Sequence, residues 1–475
     1  MWKFDDYLEN TALVDEYGNK VTYSELTDIS NRVFDSIGKR CLVVCLCENS
    51  LGSIIGYVSF MKHKIVPMLL SANLGEELLR GLLTLYSPEY LWVPQRMSDS
   101  FPEMLKCFEG YGYCLLETSY KNSYELFSEL ALLLTTSGST GSPKFVRQSY
   151  KNITANTRSI VEYLHLNANE RAITTLPMNY TYGLSIINTH LAVGATVLVT
   201  EKGLMQKEFW DFFKNQKATS FGGVPYTYEM LNKLRFFKMD IPSLKTMTQA
   251  GGKLLPELHE KFAAFANDTR RRFVVMYGQC EATARMGYLP PEHALEKKGS
   301  MGVAIPGGTF HIVDVEGNEI KEPFCTGELV YEGDNVTLGY AECGNDLKKG
   351  DERNGVLFTG DMAQFDEDGF FYIVGRKKRF LKIFGNRVNL DEMERMLKAK
   401  FNEEIACGGV DDSMAIYITD SGIAEDVRAY AAEKTNLHPS AFNVRVINEI
   451  PKTDSGKIKY SALEKYYGEE REQNE

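Results

Sequence analysis

Leu130-Ala131-Leu132-Leu133-Leu134-Thr135-Thr136-Ser137-Gly138-Ser139-Thr140-Gly141-Ser142-Pro143-Lys144 joins an apolar run to a loop of small residues and hydroxyls that ends in a lysine. The run Leu130 to Leu134 predicts a buried strand. In the loop, glycines let the backbone approach a phosphate, hydroxyls and N–H groups donate to its oxygens, and Lys144 adds positive charge. That chemistry suits a polyphosphate. The spacing is not that of a P-loop NTPase, which needs glycine, four residues, then Gly-Lys-Ser/Thr; here Gly138 and Gly141 precede Ser142-Pro143-Lys144. An ordinary polar turn after a strand has the same composition, so the rest of the chain must decide.

A chain of 475 residues, 44% of them hydrophobic, can fill more than one core and is expected to divide into domains. Its net charge of −11 argues against nucleic-acid or anionic-membrane partners. Nine cysteines, spaced as at Cys41, Cys45 and Cys47, fit neither a zinc ribbon nor a disulfide framework and read as reduced thiols. Met1 to Asp6 lacks the basic start and apolar core of a secretory signal, and the most apolar region, Leu42 to Leu70, is broken by Glu48, Asn49, Lys62, His63 and Lys64. The expectation is a cytoplasmic protein with no membrane insertion.

Short β-rich runs at Leu42 to Leu46, Ala195 to Val199 and Arg272 to Met276 alternate with helical stretches such as Glu208 to Asn215. Alternation of this kind predicts helix-covered parallel sheets. From about Gly299 the texture changes to short strands and tight turns, as at Glu316-Gly317-Asn318 and Asp366-Glu367-Asp368-Gly369. After Gly375 six cations (Arg376, Lys377, Lys378, Arg379, Lys382, Arg387) precede the next acid, Asp391, where a helix opens. The domain boundary is placed there, giving residues 1–375 and 376–475.

Four further motifs follow the phosphate loop: Tyr277-Gly278-Gln279-Cys280-Glu281-Ala282, Gly327-Glu328-Leu329, Phe358-Thr359-Gly360-Asp361 with Gly375-Arg376 behind it, and Pro451-Lys452-Thr453-Asp454-Ser455-Gly456-Lys457. In kind and order the five resemble the signatures of the adenylate-forming superfamily, which includes acyl-CoA synthetases, luciferases and peptide-synthetase adenylation domains. The resemblance covers most of the chain. It implies an α/β fold: a large N-terminal domain of two helix-covered sheets plus a distorted β-barrel, and a small mobile α+β C-terminal lid.

The resemblance also implies roles. Thr136, Ser137, Gly138, Ser139, Thr140, Gly141 and Lys144 would hold the phosphates, and Gly251 and Gly252 would let adenine lie against the backbone. Tyr277 and Gly278 would present the adenine-stacking face, Glu281 would hold Mg²⁺, and Asp361 with Arg376 would grip the ribose. Lys457 would stabilise the transition state of adenylation, Arg387 would lie near the phosphates or the acceptor tunnel, and Lys378 would be the hinge. Cys280 departs from the family's usual threonine, and a thiol is the weaker donor.

Tyr180, Thr181, Gly183, Gly222 and Gln249 are expected around the acyl group. Where peptide-synthetase domains carry an aspartate for the substrate's ammonium, this chain has Thr181, which disfavours an α-amino acid. The reading is an ATP- and Mg²⁺-dependent acid–thiol ligase that forms an acyl-adenylate from a carboxylic acid and transfers the acyl group to coenzyme A or another phosphopantetheine thiol. Two alternatives stand beside it: an adenylation enzyme loading an acyl carrier protein, and a catalytically weak nucleotide or acyl sensor, suggested by Cys280, Phe145 and Tyr150.

Overall fold

The computed structural model describes residues 2–120, 124–135, 144–377, 379–384, 386–453 and 456–463. The phosphate-loop residues Thr136 to Gly141 and the expected hinge Lys378 lie outside the described residues.

Two large sheets dominate residues 2–377. The first has nine strands, and at its centre Thr11–Asp15, Thr196–Val199, Arg171–Ile173, Ser220–Gly223, Thr246–Gln249 and Arg272–Tyr277 run parallel. The second has eight, with Leu130–Thr135, Val66–Ser71, Leu42–Cys47 and Tyr90–Pro94 parallel at its centre. One apolar cluster takes side chains from both sheets, such as Leu13 and Val197 from the first and Val43 and Leu69 from the second. The helices Tyr23–Asp35, Leu51–Lys62 and Thr181–Ala192 also contribute to it. The middle helix is buried on almost every side, which is why its sequence is apolar throughout rather than striped.

The hairpin-rich region is where the expectation needs correcting. Gly308–Val313, Gly327–Gly333, Val356–Phe365 and Phe371–Arg376 form an open antiparallel sheet, and no closed barrel occurs among the described residues. The strand Phe371–Arg376 is at the edge, and its Phe371 bridges instead to Gly302, beside the last strand of the nine-stranded sheet, Val303–Ala304. The neighbouring sheet thus meets this edge at its first residue.

The described residues from Phe380 onward pack around separate clusters. The helix Leu390–Phe401 contributes Met393 and Leu397, and the sheet of Ala406–Val410, Ser413–Ile418 and Phe442–Val446 contributes Cys407, Ile416 and Phe442. That helix opens at Asn389, whose side chain accepts from the N–H groups of Asp391 and Glu392. No helix among the described residues is long and apolar enough to cross a membrane.

Candidate active site

A cavity of about 720 Å³ opens at the carboxyl ends of Thr246–Gln249 and Arg272–Tyr277, the end at which open parallel sheets collect ligands. Its far walls come from the antiparallel sheet and from the loop that carries Lys457. Gly278 makes the turn off the strand possible: a Cβ there would sit 1.8 Å from the Ala284 carbonyl oxygen.

Asp361 is 5% exposed and held from three sides. The Tyr277 hydroxyl donates to its Oδ2 at 2.5 Å, Gln279 Nε2 donates to the same oxygen at 2.8 Å, and Arg376 Nε lies 3.4 Å from Oδ1. The strand register explains the last contact, since Asp361 and Arg376 are direct cross-strand partners. Burial pushes the Asp361 carboxyl above the usual aspartate range, against the opposing pull of Arg376, Tyr277 and Gln279. Tyr277 is not among the residues that line the cavity; its buried hydroxyl takes the nearest strong acceptor, which places the ring behind Asp361.

Glu281 lines the cavity and accepts from the Tyr340 hydroxyl at 2.7 Å. Its carbonyl oxygen accepts from Thr337 N, Thr337 Oγ1 and Arg353 Nη1 at 2.9 to 3.0 Å. Cys280 is buried, and its thiol donates to the Thr135 carbonyl at 3.8 Å. Burial pushes that thiol up to about 12, so it stays neutral. The turn that follows is tight. Thr283 has φ +66° and ψ −63°, and Ala284 N donates to Ala282 O at 2.8 Å, which makes a γ-turn of the strained kind.

Lys457 ends a hairpin in which Lys452 bridges to Ile458 and Thr453 N donates to Lys457 O at 2.8 Å. Its ammonium lies 5.3 Å from the centre of the Tyr180 ring, and its Cε is 3.4 Å from where a Cβ on Gly251 would be. Burial holds the Lys457 ammonium below the usual lysine range. Thus Tyr180, Thr181, Gly251, Gly278, Cys280, Glu281, Asp361, Arg376 and Lys457, all expected from sequence, share one cavity.

Other expected residues are elsewhere. Lys144 is exposed and pairs with Glu342 at 2.6 Å, outside the cavity lining. Gly252 also lies off the lining. Gly222 packs against Tyr182 and Ile186, Gly183 against the Pro177 carbonyl, and Gln249 is fully buried with Nε2 donating to Gly252 O at 2.8 Å. None of these three lines the cavity. Arg387 pairs across strands with Lys382, and its side chain lies outside the described residues. Gln279, Tyr340 and Arg285 join the site unforeseen. Gln279 stood inside a quoted motif, whereas Tyr340 has no local signal.

The chain matches the AMP-binding enzyme family over residues 2–341. It belongs to that family. A long-chain-fatty-acid–CoA ligase of Bacillus subtilis is 30% identical over 356 residues, spanning 70% of this chain and 60% of that ligase. An oxalate–CoA ligase of Saccharomyces cerevisiae is 26% identical over 520 aligned positions, spanning 95% of this chain and 93% of the ligase. Among solved structures, o-succinylbenzoate CoA synthetase from Bacillus subtilis in complex with an acyl-adenylate intermediate superposes with TM-score 0.78 at 21% identity, over 96% of this chain and 95% of the other. That likeness shows that the shared fold extends past residue 341.

Proposed function

We propose that the protein activates a carboxylic acid with ATP and passes the acyl group to a thiol. A carboxylate oxygen attacks the α-phosphorus and pyrophosphate leaves; the thiol sulfur then attacks the acyl carbon, AMP leaves, and the thiol proton goes to solvent. The observation that carries this reading is the meeting of Asp361, Glu281 and Lys457, from three distant parts of the chain, on one cavity.

Asp361 exchanges its protein donors for the ribose hydroxyls, with Arg376 beside it, while the backbone at Gly251, on the cavity lining, takes adenine. Lys457 supplies a desolvated positive charge where two anions meet, the point at which a preorganised cation contributes most. Thr136 to Gly141, Lys144 and Arg387 are assigned to the phosphates. A magnesium ion is commonly held by one or two carboxylates plus substrate phosphates, and Glu281, with one oxygen fixed by Tyr340, fits that arrangement. When bound, the ion offsets phosphate charge.

We favour coenzyme A as acceptor because both curated relatives above are named CoA ligases. We further propose that residues 1–375 and 376–475 are separate domains and that Lys378 is the hinge between them. The separate apolar clusters after Phe380 support the division. The cytoplasm is the compartment proposed, which suits nine free cysteines.

The test separates the half-reactions. Lys457→Ala is expected to slow pyrophosphate release by about 10²–10³ while thioester formation from supplied acyl-adenylate stays within a few-fold of wild type. Equal loss in both steps would refute the assigned role.

A further inference from the structure

Arg285 directly follows the γ-turn and lines the same cavity, yet none of the nucleotide roles uses it. It is 2% exposed, and its Nε has no hydrogen-bond partner among the described residues. Nη2 donates to Ser185 Oγ at 3.1 Å, and Nη1 faces the Met276 sulfur at 3.6 Å. A thioether is a poor acceptor, and a guanidinium carries five N–H donors. The group also stacks on Tyr182, with Cζ 3.9 Å from the ring centre, which stabilises the charge but leaves in-plane donors unsatisfied.

The surroundings offer no counter-charge. No carboxylate lies within ion-pairing distance of the guanidinium among the described residues. The nearby phenols of Tyr163, Tyr180 and Tyr182 are neutral, because burial pushes each of them up, Tyr182 to about 12. Meanwhile the backbone is locked. Asn156 Nδ2 and Asn335 Nδ2 donate to the Arg285 carbonyl at 2.8 and 3.0 Å, and the Arg285 N–H donates to Asn156 Oδ1 at 3.3 Å. A buried, unpaired and immobilised cation is costly to maintain and is suited to receive an anion.

Its position tells which anion. Lys457 sits over Tyr180 and Arg285 over Tyr182, and these two rings meet edge to face with centres 6.3 Å apart. Each cation therefore lies over one ring of a touching tyrosine pair on the cavity, with the proposed adenylation chemistry on the Lys457 side. We propose that the acid substrate is a dicarboxylate: one carboxylate reacts near Lys457 while the other is held by Arg285, making Arg285 the specificity-determining residue. This rests on the acid-activation reading and narrows its substrate class.

Full-length protein would be assayed for pyrophosphate release with succinate, glutarate, adipate and phthalate, each against its monoacid counterpart: butyrate, pentanoate, hexanoate and benzoate. Wild type is expected to prefer the best diacid by about 100-fold in kcat/KM, the scale of a buried charge pair. Arg285→Gln should erase that preference through the KM for the acid, leaving the KM for ATP within about twofold. Arg285→Lys, which keeps a charge, should retain part of it. Without ligand, Arg285→Gln should unfold at an unchanged or higher temperature, because an unpaired buried charge has been removed.

Monoacids used as well as diacids by wild type, a variant that loses both acid classes together with ATP affinity, or a lowered unfolding temperature of the unliganded Arg285→Gln protein would each overturn the proposal. Should no acid release pyrophosphate, the activity reading fails on its own. Arg285-dependent protection from thermal unfolding by these diacids would then still support the site, and its absence would overturn it.

Discussion

Tyr277, Gln279 and Arg376 hold the Asp361 carboxylate, so the ribose binding proposed for it would be an exchange of hydrogen bonds rather than a gain of new ones. On the proposed roles, two shifted groups frame the pH response of adenylation. Asp361 must be ionised to accept from hydroxyls, and burial raises its pKa above the ordinary value of about 3.9; ATP affinity is therefore lost as pH falls through that raised value. Lys457 must be protonated, and burial lowers its pKa below the ordinary value of about 10.4; the rate falls as pH rises through that lowered value. The pyrophosphate-release profile should be a bell narrower than free side chains would give. Tyr277→Phe removes a donor that favours the ionised form, so its acidic limb should move to higher pH, while the KM for ATP above that limb should not rise, because the lost bond is one that ribose displaces. An acidic limb that stays in place would show that Asp361 is not the group being titrated. These residues were legible because each motif packs its chemistry into adjacent positions. Tyr340, which holds Glu281, was not, because a hydrogen bond between segments distant in sequence leaves no local pattern.

Between Cys280 and Arg285 the chain makes one element of the site out of a strained turn. Thr283 carries the strain at φ +66°, its hydroxyl donates to Asn335 O at 2.7 Å, and its carbonyl accepts from the Thr181 hydroxyl. The turn sets where Glu281 and Arg285 emerge on either side. Thr283→Ala keeps the strain and loses the bond to Asn335, whereas Thr283→Gly loses the bond but relieves a conformation worth about 1–3 kcal/mol. The glycine variant should therefore be more stable than the alanine variant by about 1 kcal/mol in denaturant unfolding, the reverse of the usual order. Equal stabilities would mean that the turn relaxes without Thr283. The same region shows what patterning can and cannot give. Turn chemistry at Asp366 to Gly369 announced a hairpin, and Asp366 Oδ1 does accept from the N–H groups of Asp368 and Phe370. Alternation within strands does not reveal which edge meets which, and so it left open whether the hairpins close on themselves or lean on a neighbour.

Across the whole molecule, the two large sheets share a layer of helices, and the pairing that builds them joins remote segments: Leu13 lies beside Val197 in register. Sequence alternation announced parallel sheets without saying that the first strand would join at that place, since parallel pairing carries no turn to mark it. After Phe380 the helix Leu390–Phe401 was legible from the acids in its first turn. The fastening of the segment around it was not. Arg379 Nη2 donates to Glu394 Oε1 at 2.7 Å, its guanidinium lies 3.7 Å from the centre of the Tyr460 ring, and the Tyr460 hydroxyl donates to Glu394 Oε2 at 2.8 Å. Three residues from Lys457, the chain is thus bolted to a buried carboxylate on the helix Leu390–Phe401. Hydrogen exchange makes the consequence visible: the Lys459 amide, bonded to Pro451 O, should exchange only as fast as amides in the interior of that helix, because both open in one event. In Tyr460→Phe it should exchange much faster while the helix stays protected. The lysine proposed to act at the cavity would inherit its steadiness from a side chain three residues further along the chain.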